Sequence, residues 1–174
     1  MRRQLAGLLG TVVLVGLVPS AGHTQAMRTA HNAVYLELGG NGLLYSVNYE
    51  RFMAPNVSLR GGFSYVSVEA SDGTGSASAS VAVVPLMVNY LLGGGSAKLE
   101  VGGGIALTRF SGESSTGFGD EVEVGAFVPI GTGTVAFRLS PPGGGFNFKI
   151  GWTPFFHPDI GLFNWGGLAL GAGF

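Results

Sequence analysis

Apolar residues alternate with small or polar ones along nearly all of the chain after residue 32. Residues 45–52 show the pattern: Tyr45, Val47 and Tyr49 share one side, while Ser46, Asn48 and Glu50 share the other. A period of two marks a strand whose faces meet different surroundings; a helix face would repeat apolar residues at three and four. The pattern predicts eight strands, over 33–39, 43–52, 57–68, 79–92, 97–110, 122–139, 145–156 and 164–174. Most approach the roughly 9–11 residues that a tilted strand uses to cross a bilayer. In the sixth, Pro129 and the glycines after it interrupt the pattern and leave 132–139 as the regular part. In the fourth, 81–90 is apolar on both faces apart from Asn89. Pro85 there lacks a ladder donor, so a bulge or local distortion is expected.

The chemistry of the two faces is inverted relative to a soluble barrel. One set carries Val34, Leu36, Leu59, Phe63, Leu99, Val101, Val135, Phe137 and Ile150. The other carries Glu37, Glu50, Arg60, Lys98, Glu100, Arg138 and Lys149 among Ser, Asn, Gly and Ala. In a membrane barrel the apolar set faces lipid and the polar set faces the lumen. Four cations against three anions is nearly balanced, as a narrow lumen requires, because a buried unpaired charge costs several kcal/mol. These seven residues are the candidate lumenal ion network. Aromatics on the apolar faces predict two interface girdles. Tyr49, Tyr90, Phe148 and Phe174 fall towards one end of the strands, and Tyr45, Tyr65 and Trp152 towards the other.

The connections alternate in length. The runs at 53–56, 93–97 and 141–145 are tight and rich in Gly, Pro and Asn. Between them lie longer loops around residues 69–78, 111–121 and 157–163. Short turns on one side and long loops on the other are the layout of an outer-membrane barrel. The first outer connection, Gly39-Gly40-Asn41-Gly42, is as short as a hairpin turn.

Composition agrees. Charged residues make up 11% of the 174, against about 25% in soluble domains. Thirty-two residues are glycine and none is cysteine, which excludes disulfides and thiolate metal sites. No basic patch marks a nucleic-acid binder. Arg2 and Arg3 precede fourteen apolar residues, 5–18, and then a small, polar stretch that ends at Ala26. That is the pattern of a secretory signal peptide, cleaved after Ala26 or, as second choice, Gly22. Fourteen apolar residues fall short of the roughly 17–25 that span a bilayer as a helix. The predicted organisation is a signal peptide over 1–26 and one barrel over 27–174.

These features resemble the small eight-stranded outer-membrane β-barrel proteins of the OmpA/OmpX type. The resemblance rests on YLELGGNGLLYSVNYERF (35–52), GGGFNFKIGWTP (143–154) and the terminal GLALGAGF (167–174). It implies an all-β, up-and-down transmembrane barrel in the outer membrane of a Gram-negative cell. It also implies contact with outer-membrane lipid and lipopolysaccharide, a monomeric state and no cofactor. Leu168, Leu170 and Phe174 match the final strand that the barrel-assembly machinery reads.

An interior of eight strands is just wide enough for side chains to fill, so a non-enzymatic barrel that is structural or presents its loops is expected, with a narrow-channel porin as alternative. A lipid-modifying enzyme would need a nucleophile with a base in reach. The candidates are His31 and His157, with Asp159 as orienter and Ser111, Ser114 or Ser115 as nucleophile. Glu69, Asp72, Glu113, Asp120, Glu121 and Asp159 make an acidic outer rim, but without EF-hand spacing, and no metal site is expected. Arg51 and Arg109, near strand ends, are candidate contacts for lipid phosphates.

Overall fold

A computed structural model describes residues 28–71, 76–115, 125–158 and 161–174. The expected signal peptide lies outside these residues, as do Asp72, Asp120, Glu121 and Asp159. The chain runs through β1 (Asn32–Gly39), β2 (Tyr45–Ala54), β3 (Val57–Ser71), β4 (Ser76–Leu92) and β5 (Ala97–Ser115). It continues through β6 (Val128–Leu139), β7 (Gly145–Trp152), β8 (Phe155–His157), β9 (Gly161–Phe163) and β10 (Gly166–Gly173). Every pairing is antiparallel, β5 joins β6 and β1 joins β10, so the sheet closes on itself.

The ten strands form eight staves. β6 pairs with β7 and then with β8 in one unbroken register, and β8–β9 continues the register of β7–β10. The break falls at Thr153 and Pro154, where Pro154 has no N–H to give. Its carbonyl still accepts from Gly133 N at 2.9 Å, and Thr153 N donates to the Trp165 carbonyl at 2.9 Å.

Register fixes the stagger. Partners lead around the barrel from Val34 to Tyr49, Gly61, Leu86, Ile105, Gly131, Phe156 and Leu162. Leu162 lies five residues beyond Gly167, the partner of Gly39, so the circuit returns at the level of residue 44, ten residues from its start. Eight staves with that stagger tilt by roughly 40° to the barrel axis.

At Pro85 the expected bulge or local distortion takes the second form, a gap in one ladder without a bulge. The pairing of Pro85 with Ala106 lies in an unbroken β4–β5 register, and the β3–β4 ladder merely skips Gly62–Phe63 before resuming in the same register. Gly62 leaves room for the Pro85 ring, which a β-carbon there would approach to 3.0 Å. The register shift is instead in β2–β3, between Phe52 and Ala54. Of the expected sixth strand, 122–124 lie outside the described residues and 125–127 are not in a strand; the stave runs from Val128 and takes in Pro129 opposite Leu107.

The faces divide as alternation requires. Leu36, Val47, Phe63, Val88, Phe137 and Ile150 are all exposed on the outside, whereas Glu37, Glu50 and Glu100 are 0% exposed inside. Of the aromatic residues, Tyr45 and Trp152 stand at loop-side strand ends, and Tyr90 and Phe174 at turn-side ends. Tyr49, Tyr65 and Phe148 sit further along their strands. Several polar tips are held: Tyr49 Oη donates to Asn32 Oδ1 at 2.7 Å, Tyr45 Oη to the Tyr65 carbonyl at 2.5 Å, and Trp152 Nε1 to Asn164 Oδ1 at 3.1 Å.

Candidate functional site: charges inside the barrel

Six of the seven charged positions meet in the interior. Arg60 Nη1 lies 3.4 Å from Glu37 Oε1, which Lys149 Nζ approaches to 3.1 Å. Lys149 also reaches Glu100 Oε1 at 3.5 Å. Arg138 Nη1 donates to Glu100 Oε2 at 2.7 Å and to Glu50 Oε1 at 2.9 Å, and its Nη2 to Glu50 Oε2 at 2.5 Å. The result is one chain of alternating charge, Arg60–Glu37–Lys149–Glu100–Arg138–Glu50, three against three.

The chain joins adjacent and distant staves: Glu100 reaches Arg138 diagonally across β5–β6, whereas Glu50, opposite Arg60 in register, pairs with Arg138 across the lumen. Lys98, Arg138 and Lys149 are register partners on three adjacent staves, so cation stands beside cation. Their carboxylates come from β1, β2 and β5. Glycine and alanine on the polar faces leave the space through which the long side chains extend. Lys98 itself departs from expectation. Set nearer the short turns, it gives its ammonium to the Ser140 carbonyl at 2.9 Å rather than to a carboxylate.

Neutral residues complete the network. Tyr35 and Phe52 are buried with it. Arg60 Nη1 donates to Tyr35 Oη at 3.3 Å, Lys149 Nζ stands 5.1 Å over the Tyr35 ring, and Arg138 lies 5.4 Å from the Phe52 centroid. Such cation–ring contacts contribute most where water is scarce. Ser58 donates to Glu50. The position of Tyr35 follows from alternation with Glu37, but its partnership with Arg60, 25 residues away, does not.

The first outer connection is not an outward hairpin. Residues Gly40–Gly42 form a single 3-10 turn that is buried in the barrel, and Asn41 is 0% exposed. Asn41 accepts from Arg60 Nη2, while its amide donates to Thr132 Oγ1 at 2.7 Å and to the Gly133 carbonyl at 2.9 Å. The inward fold needs Gly39 and Gly40 at φ +69° and +67°. Leu43, at φ +70°, is held there by a hydrogen bond from Trp165 Nε1 to its carbonyl at 2.9 Å.

Above this turn the interior becomes apolar. Val83, Ala106 and Phe155 pack together with Leu43, Val81, Ile130 and Trp165 against them. A cavity of about 160 Å³ opens over Thr108 between Leu43, Phe110, Ile130, Phe155, Phe163 and His157. Of the candidate catalytic partners, Asp159 lies outside the described residues, and the side chains of Ser114 and Ser115 are not described. No group of three metal-ligating side chains occurs among the described residues. The guanidinium of Arg109 lies 6.0 Å from the Phe127 ring centroid.

A closed barrel of eight antiparallel staves, charged within and apolar without, has the architecture of the small outer-membrane β-barrels. Solved structures agree on that fold. The chain is similar to the N-terminal β-barrel domain of OprF from Pseudomonas aeruginosa, with a TM-score of 0.58 and 15% identity over 86% of this chain and 100% of that one. It is also similar to Ail, the attachment invasion locus protein of Yersinia pestis, solved with the heparin analogue sucrose octasulfate. There the TM-score is 0.50 and the identity 12%, over 82% of this chain and 92% of that one. No family model matches the chain, and no curated protein matches it in sequence.

Proposed function

We propose that this protein is an integral outer-membrane barrel, monomeric and non-enzymatic, whose lumen is plugged by its own side chains. The observation that carries this reading is the chain of six alternating charges from one wall of the interior to the other. Opening a path would separate buried ion pairs, at a cost of several kcal/mol for each unpaired charge. The protein would serve by filling and stiffening the membrane and by carrying its loops outside. Its apolar exterior would sit in lipid with the aromatic residues at both interfaces, in contact with lipopolysaccharide at the loop side.

Planar-bilayer recordings of the refolded protein are expected to show no sustained conductance, and proteoliposomes no swelling in small sugars. Steady open channels would refute the plug. The membrane-extracted protein is expected to change gel mobility on boiling, as a folded barrel does; recovery as a soluble periplasmic protein would refute the location.

Leu168, Leu170 and Phe174 are the proposed signal for assembly. Phe174→Ala is expected to reduce the amount of folded barrel in cells several-fold while refolding in detergent is unchanged. Equal loss in both settings would make Phe174 a structural residue only.

A further inference from the structure

Beyond that proposed role, the described interior holds two further cations outside the chain of ion pairs. Arg28, just before β1, is 6% exposed and Lys98 8%. Among the described residues neither forms an ion pair with a carboxylate. Glu50 already accepts from Arg138 and Ser58, and neither Arg28 nor Lys98 donates to it among the described residues.

Both cations converge on Ser140. Arg28 Nη2 donates to Ser140 Oγ at 3.2 Å, and Lys98 Nζ to the Ser140 carbonyl at 2.9 Å. Arg28 Nη1 donates to the Ala30 carbonyl at 3.3 Å and the guanidinium lies 3.7 Å from the Phe52 centroid, but its buried Nε has no partner. An ammonium has three donors, and Lys98 uses one within the protein. Two sheltered like charges with donors to spare are costly unless an anion joins them.

The same two residues line one cavity at the turn-side mouth, with Asn56, Gly93 and Gly94 beside them. Its enclosed part is about 20 Å³ and it opens outwards, so a phosphate enters oxygens first with its remainder in the opening. We propose that this mouth binds a phosphate group through Arg28 and Lys98. The guanidinium fork grips two oxygens and the ammonium acts as a point charge on a third, a pairing suited to phosphate. The phosphate is either free in solution or carried by a lipid headgroup of the adjacent leaflet.

The test uses the full barrel in maltoside micelles, with inorganic phosphate titrated against chloride at constant ionic strength. The wild type is expected to show a saturable rise in unfolding midpoint of about 3 °C or more at tenfold excess over Kd. Arg28→Gln is expected to lose the rise, and Lys98→Gln to weaken binding roughly tenfold. Equal responses in all three proteins would overturn the proposal. Phosphatidylglycerol vesicles separate the sources. If headgroups supply the phosphate, wild type exceeds Arg28→Gln in stability without added phosphate; if free phosphate does, that gap opens only on its addition. A gap under neither condition would overturn the site. Should Arg28→Gln fail to fold, broadening of the phosphorus resonance of inorganic phosphate by wild-type protein decides, and no broadening refutes it.

Discussion

Replacing Arg138 with methionine is expected to destabilise the barrel by about 3–5 kcal/mol, the cost of breaking a buried pair from one side. Arg138 holds both oxygens of Glu50 and one of Glu100. Its loss leaves Glu50 with the Ser58 hydroxyl alone and leaves the six-residue charge chain with two cations against three carboxylates. Adding Glu50→Gln to the same chain is expected to restore more than half of the loss, because it removes the orphaned charge rather than the packing. Arg138→Lys is expected to fall between, since one ammonium cannot reproduce the guanidinium fork. Urea unfolding of the refolded variants, followed by the boiling-dependent gel shift, measures all three. A single variant as stable as wild type would mean that water enters and screens these charges.

Gly40→Ala is expected to cost about 3 kcal/mol or more. A β-carbon at φ +67° already carries roughly 1–2 kcal/mol of strain. It would also overlap the Glu37 carboxylate, which is committed to Arg60 and Lys149. Either the turn leaves the lumen and withdraws Asn41 from Arg60, or Glu37 leaves its cations. Gly61→Ala is the control. The nearest side-chain atom to its new methyl is Leu86 Cδ2 at 3.7 Å, an ordinary contact, and alanine in a strand is favoured over glycine by roughly 0.5–1 kcal/mol. Equal stability of the two variants in the same urea titration would show that the inward turn is not required.

Alternation alone made the staves legible, because a strand between lipid and lumen must change character at every residue. The inversion of charge and apolarity was legible for the same reason: Glu37, Glu50, Arg60, Glu100, Arg138 and Lys149 all have the parity that places them inside. Pro85 announced a disturbed ladder, but that it would be a gap and not a bulge depends on Gly62 on the next stave, which no local signal reports. The inward turn at Gly40–Gly42 was hidden because a run of glycines serves an outward hairpin equally well. Its partners, Arg60, Thr132 and Gly133, lie on staves that meet Asn41 only once the barrel is closed.

The order of residues determined which side chains face in, which face out, and that the inner charges are nearly balanced, since these depend on a period of two within each strand. Which cation meets which carboxylate was decided by closure. With eight staves staggered by ten residues, neighbours in register are not the residues that meet across the lumen. Lys98, Arg138 and Lys149 stand side by side and repel; Arg138 takes Glu100 from the adjacent stave and Glu50 from across the interior, and Lys149 takes Glu37 from two staves away. Lys98, set lower in the barrel, finds the Ser140 carbonyl and the company of Arg28. That separation of three cations in ion pairs from two without one among the described residues exists only in the folded barrel, because it depends on stagger and tilt rather than on parity.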